Sequence, residues 1–190
     1  EISECLVGSE MCIRDRNGCD FIISLGDGSP QDAVSSISIL ATNGGRPLDY
    51  EVVHKSEKTG LPVIAISTTT GTSAEITINY VITDEERKVK MVMVDKNSLV
   101  LMSVNDPELM VSMPKSLTTA TSLDALTHAI EALVTPGAYA ATKKLSVGAI
   151  ELIKEYLPRA VADGHDLEAR EAMVLSLIHI SEPTRHSLIS

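Results

Sequence analysis

Cys19-Asp-Phe-Ile-Ile-Ser-Leu25 runs straight into Gly26-Asp-Gly-Ser-Pro-Gln-Asp-Ala33, and this junction decides the fold. The first half is a short apolar, β-rich run of the kind a buried parallel strand shows. In the second half Gly26 and Gly28 allow a tight turn, Ser29 is a good N-cap, and Pro30 sits where proline opens a helix. The helical stretch then continues from Val34 to Ala41. A strand that feeds a glycine turn and a helix N-terminus offers backbone N–H groups and the helix dipole to an anionic phosphate. An ordinary capped turn would read the same way.

The pattern repeats downstream. Asn43-Gly-Gly-Arg-Pro47 is a turn, Tyr50 to Gly60 reads as a solvated connection, and Leu61-Pro-Val-Ile-Ala-Ile-Ser67 is a second buried strand. Thr68-Thr-Thr-Gly-Thr-Ser-Ala-Glu75 follows it. Thr72 and Glu75 have the spacing of a capping box. The hydroxyls of Thr68, Thr69 and Thr72 equally suit a nucleotide lying across strand ends of an open α/β sheet. Ile76 to Thr83 alternates like a strand, Asp84-Glu-Glu-Arg-Lys is the turn out of it, and Lys88 to Val94 is its hairpin partner. Ser98 to Val104 reads as a third buried strand.

From Met113 the texture is helical. Lys115 to Val134 forms one helix, with Leu123, Leu126, Ile130 and Leu133 expected on its apolar face. Leu145 to Leu157 is the next helix, and a third begins at Leu167. Asp124 and His128, four residues apart, stand one turn above each other. Their oxygen and nitrogen donors can reach one divalent metal, and mixed ligation suits iron or zinc. The same spacing also fits a surface pair contributing about 0.2–0.5 kcal/mol.

Composition narrows the function classes. A net charge of −10 and the absence of Trp argue against a nucleic-acid partner, which needs a basic face and stacking platforms. No apolar run has the length of a membrane span. Cys5, Cys12 and Cys19 form neither a disulfide framework nor a zinc ribbon, and no secretory signal is visible, so the expected setting is reducing and cytoplasmic. At the ends, C-L-V-G-S-E-M-C-I-R-D-R and S-L-I-H-I-S-E-P-T-R-H are similar to translated sequencing adapters. Segments 1–16 and 177–190 are therefore expected to be foreign to the fold.

D-A-L-T-H-A-I-E-A, from Asp124, preceded by M-P-K-S-L-T-T-A-T, resembles the metal-helix motif of the iron-dependent (group III) alcohol dehydrogenases. T-I-N-Y-V-I-T-D-E-E is similar to their lactaldehyde reductase branch. I-S-I-L-A-T-N-G-G and the text around Val104 to Thr118 are similar to the 1,3-propanediol dehydrogenase branch. The resemblance covers about Asn17 to Ser176. It implies an α/β, Rossmann-like nucleotide-binding part over 17–112, followed over 113–176 by the start of an all-helical metal-binding domain. Together they would form an incomplete dehydroquinate synthase-like architecture.

The resemblance also implies a function: interconversion of small alcohols or diols and aldehydes by hydride transfer, with NAD or NADP and with Fe2+ or Zn2+. Asp124 and His128 would be two of four metal ligands, with two histidines still to come from later helices. Gly26, Asp27, Gly28, Ser29 and Asp32 would carry the cofactor pyrophosphate, Thr68, Thr69 and Thr72 the nucleotide. Thr77, Asn79 and Lys90 would line the cofactor and substrate cleft. Asp27 replaces a glycine of the family motif, so its charge, and its backbone if φ were positive, are expected to weaken cofactor binding. The implied partners are a small alcohol or aldehyde and, at full length, further copies of the chain, with no membrane or nucleic acid. A non-catalytic phosphate-binding α/β module and a truncated chain without activity are the alternatives.

Overall fold

The computed structural model of the chain describes residues 18–184, with side chains as far as Ser176. The segment 1–16 expected to be foreign lies outside the described residues, as do the side chains of 177–190. The chain divides into two compact units, Glu1–Ile66 with Ala74–Val104, and Ser67–Ser73 with Asn105–Ser190.

The first unit is α/β. Its elements are β1 (Ile22–Gly26), α1 (Gly28–Asn43), β2 (Val52–Val53), β3 (Val63–Ser67), β4 (Asn79–Asp84), β5 (Val89–Val94) and β6 (Met102–Val104). They form two three-stranded sheets, in the orders β1-β3-β6 and β2-β5-β4. β3 and β6 are parallel, with Ile64 opposite Met102. β4 and β5 are the expected antiparallel hairpin, with Asn79 opposite Val94 and Thr83 opposite Lys90. Alternation along β4 turns Tyr80 and Ile82 inward, where they meet Met91 and Met93 and the α1 residues Ala33, Ile37 and Leu40.

Three expectations for this unit change. β1 is not buried throughout, because it is the edge strand of its sheet: Ser24 is enclosed while Ile23 and Leu25 are 55% and 62% exposed. The expected strand from Ser98 shrinks to three residues, since Lys96–Ser98 forms a helical turn capped by Asp95, and Leu101 and Met102 lie largely exposed. Finally, the connection after Tyr50 carries a short strand, β2, pairing in parallel with β5 through Val52 opposite Met93.

The second unit is a stack of three helices, α2 (Lys115–Val134), α3 (Ala140–Ala162) and α4 (Leu167–Thr184). The face α2 buries is not the leucine face expected. Thr118, Ser122, Ala125, Ala129 and Ala132 are buried, whereas Leu123 and Ile130 are about half exposed. Their spacing of four and three matches the buried Thr142, Ser146, Ala149 and Ile153 of α3. Ala129 and Ala132 cluster with Ala149, and Ala125 with Ile153 and Ala160, so the two helices run antiparallel. Small residues at a seven-residue repeat let the backbones approach closely, which is why hydropathy alone misplaced the seam. Arg170 of α4 locks the stack. It is 1% exposed and donates to Gly164 O at 3.1 Å and to Thr118 Oγ1 at 2.8 Å.

Candidate functional site

The glycine turn after β1 forms where expected, with its cap shifted. Gly26 ends β1 with φ of +148°, a region open to glycine, and an added Cβ would lie 2.7 Å from Pro30 Cγ. The helix begins at Gly28 with Asp27, not Ser29, as its N-cap. Ser29 and Pro30 therefore lie inside the first turn, and Asp32 follows in the second. Asp27 has φ of −84° and ψ of −165°, extended backbone that any residue adopts, so the expected strain is absent and only its charge can oppose an anion. Its carbonyl accepts the first helical bond, from Gln31 N.

Gln31 was not anticipated in this region, and Glu75 was expected only as a capping-box partner. Gln31 is buried, and its Nε2 donates to Gly26 O and Ile66 O, both at 3.4 Å. It thereby ties the turn to the end of β3. Nothing in its spacing marks it, because a buried amide in a first helical turn has no pattern. Glu75 belongs to no capping box, since only a short helical turn, Ala74–Ile76, forms there. It is 6% exposed, and burial, aided by the charge of Asp27, raises its carboxyl above the usual carboxylate range.

Thr77 is buried and its hydroxyl donates to Asn79 O at 3.1 Å. Asn79 Oδ1 is buried without a partner, an open acceptor that fits an amide or hydroxyl donor of a nucleotide cofactor. Lys90 is exposed and sits opposite Thr83, four residues along β4 from Asn79, or roughly 13 Å. The hairpin thus places Lys90 on the face of Asn79 but does not bring the two together.

In the second unit the threonine turn meets α2. Thr68, Thr69 and Thr72 are half-buried, and Ser67 Oγ donates to Thr69 O. Gly71, with φ of +147°, approaches α2 so closely that an added Cβ would lie 2.6 Å from both Cβ and O of Thr121. Thr121, Asp124 and His128 fall at i, i+3 and i+7, one flank of the helix beside the buried seam. His128 Nε2 stands 3.7 Å from Asp124 Oδ2, and its Nδ1 stands 3.8 Å from Glu131 Oε2. One carboxylate oxygen and one imidazole nitrogen on a common side are a fitting partial ligand set for iron or zinc. Among the described residues no group of three or more His, Cys, Asp or Glu completes it. His165 lies in the α3–α4 loop, its N–H bonded to Asp163.

Comparison with known proteins shows the family. The model of the iron-containing alcohol dehydrogenase family matches residues 6–107, and that of the family's C-terminal region matches 118–178. The chain is 50% identical to alcohol dehydrogenase 4 of Schizosaccharomyces pombe over 161 residues, covering 85% of this chain and 38% of that protein. It is also 50% identical to the NAD-dependent methanol dehydrogenase of Bacillus methanolicus, covering 83% and 42%. Lactaldehyde reductase of Escherichia coli is 44% identical, covering 86% and 43%. A crystal structure of 1,3-propanediol oxidoreductase superposes with a TM-score of 0.91 at 38% identity, covering 95% of this chain and 47% of that one. The chain thus spans about two fifths of the length of its curated relatives. With the strand–turn–helix junction, the threonine turn and the Asp124–His128 pair in the matched regions, the chain belongs to the iron-containing alcohol dehydrogenase family.

Proposed function

We propose that the chain is part of a metal-dependent NAD(P) alcohol dehydrogenase that interconverts small alcohols or diols and aldehydes in a reducing, cytoplasmic setting. The observation that carries this reading is the seating of Gly71 on Thr121, which lays a hydroxyl-rich turn along the helix flank that holds Asp124 and His128. A nucleotide turn and a metal pair on one flank are what hydride transfer beside a metal requires. When bound, the metal supplies a Lewis acid that eases negative charge on the alcohol oxygen, and the nicotinamide supplies the hydride acceptor.

The residues divide the work. Gly26, Gly28 and Ser29 present the helix N-terminus to the pyrophosphate, with Asp27 opposing it and Asp32 one turn further into the helix. Thr68, Thr69 and Thr72 offer hydroxyls to the nucleotide. Asn79 offers its open acceptor, with Thr77 holding the backbone beside it, and Lys90 is an exposed cation on the same face. Asp124 and His128 hold the metal with two further ligands, and the complete enzyme assembles from several copies.

The test is a chimera in which residues 18–176 replace the matching segment of the Bacillus methanolicus relative. It is assayed for NAD+ reduction with a panel of short alcohols and diols. Alcohol-dependent turnover is expected. A folded, metal-loaded chimera that binds NAD+ and reduces none of it would support the non-catalytic reading instead.

A further inference from the structure

Two carboxylates flank the ring of His128, and only one of them belongs to the pair that would hold metal. Asp124 Oδ2 faces Nε2 at 3.7 Å, while Glu131 Oε2 faces Nδ1 at 3.8 Å, both longer than a hydrogen bond but close enough for each carboxylate to attract a proton on the nitrogen it faces. The order Asp124, His128, Glu131 at i, i+4 and i+7 keeps all three on one flank of α2. Glu131 is well exposed, its side chain 69% accessible, and it makes no other ion pair among the described residues. A neutral imidazole carries one proton, on either nitrogen, and binds metal only through the bare one.

We propose that Glu131 is a positioning residue: it holds the His128 proton on Nδ1 and so leaves Nε2, the nitrogen beside Asp124, free for the metal. This rests on the metal reading above, but the proton's place can be measured without metal. Asp124 pulls the proton toward Nε2 and Glu131 pulls it toward Nδ1. Removing either carboxylate therefore shifts the tautomer balance in opposite directions.

The experiment uses the 190-residue chain, labelled with 15N at histidine and studied at about pH 8.5, two units above the usual imidazole range. His128→Ala assigns the ring signals. Glu131→Leu is expected to move the proton toward Nε2, Asp124→Asn toward Nδ1, and Glu131→Gln, which keeps an amide oxygen, is expected to restore part of the original balance. Zinc titration of the same substitutions in the chimera, where the two further ligands are present, gives the second readout. Asp124→Asn and His128→Ala should abolish binding at this site, while Glu131→Leu should weaken it about tenfold, as loss of an outer partner of a metal-bound histidine does. An unchanged tautomer balance in Glu131→Leu overturns the proposal whatever zinc does. Zinc binding untouched by Asp124→Asn and His128→Ala overturns the metal reading instead, and leaves the tautomer result to decide the role of Glu131.

Discussion

Asp27 is the N-cap of α1, at the turn that would face a pyrophosphate. A carboxylate in place of the family's glycine suggested both charge repulsion and backbone strain, yet its φ of −84° leaves only the charge. Asp27→Gly in the chimera should therefore tighten NAD+ binding only modestly, by about 1 kcal/mol or several-fold in Kd, and less as salt rises. Calorimetric titration at two ionic strengths checks it, and a salt-independent gain would contradict the electrostatic account.

Gly71 is the opposite case, a residue whose importance no periodicity announced. Gly71→Ala meets both positive φ and backbone atoms of Thr121, and should cost about 2–4 kcal/mol in urea unfolding. Gly148→Ala, inside α3 with nothing within 4 Å, should instead stabilise by about 0.5–1 kcal/mol. Equal effects at the two sites would show that the turn does not press on α2.

At the scale of elements, the strand–turn–helix alternation, the β4–β5 hairpin and the extent of α2 were all legible, because each rests on local periodicity. What hid were facts of packing. A leucine stripe reads as a core face, but α2 and α3 meet through Ser122, Ala125, Ala129, Ser146 and Ala149, whose small size permits the approach. Ala129→Leu should therefore destabilise by about 1–3 kcal/mol through overpacking, although it raises hydrophobicity. An unchanged midpoint in thermal unfolding would place the seam elsewhere.

The hairpin turn makes a prediction about pH. Arg87 donates to Asp84, whose carboxylate also accepts from the N–H groups of Glu86 and Arg87, and Arg87 reaches Glu51 at 3.0 Å. The bonds from Arg87 hold the Asp84 carboxyl below its ordinary value. A lowered folded-state pKa contributes stability above the unfolded value, near 4, that is lost as pH falls through the folded one. Asp166, lowered by Arg159, acts in the same window. Melting temperature should thus fall below about pH 4, and Asp84→Asn should flatten part of that fall while lowering stability at neutral pH. A slope identical to the parent's would remove the hairpin ion pair from the account.

At the scale of the whole chain, the family was legible because several short texts recur in order. Asp124-x-x-x-His128 alone would have been a weak signal, Glu75 read only as a capping-box partner, and Gln31 and Arg170 gave none, since their burial is created by residues distant in sequence. The chain spans about two fifths of its curated relatives. On the proposed reading, Asp124, His128 and the turn after β1 are what it brings to a larger enzyme. The central claim is that Asp124 and His128 hold the catalytic metal, and the most direct measurement is metal per chain in the chimera, by elemental analysis, beside turnover and circular dichroism. Asp124→Asn keeps the side chain's size but gives up the charge that balances a divalent cation. The account predicts loss of most bound metal and a fall in kcat by orders of magnitude, with helix content and NAD+ affinity nearly unchanged. Full metal occupancy with near-normal turnover in Asp124→Asn would contradict it, and would reduce Asp124 and His128 to a surface pair on a helix.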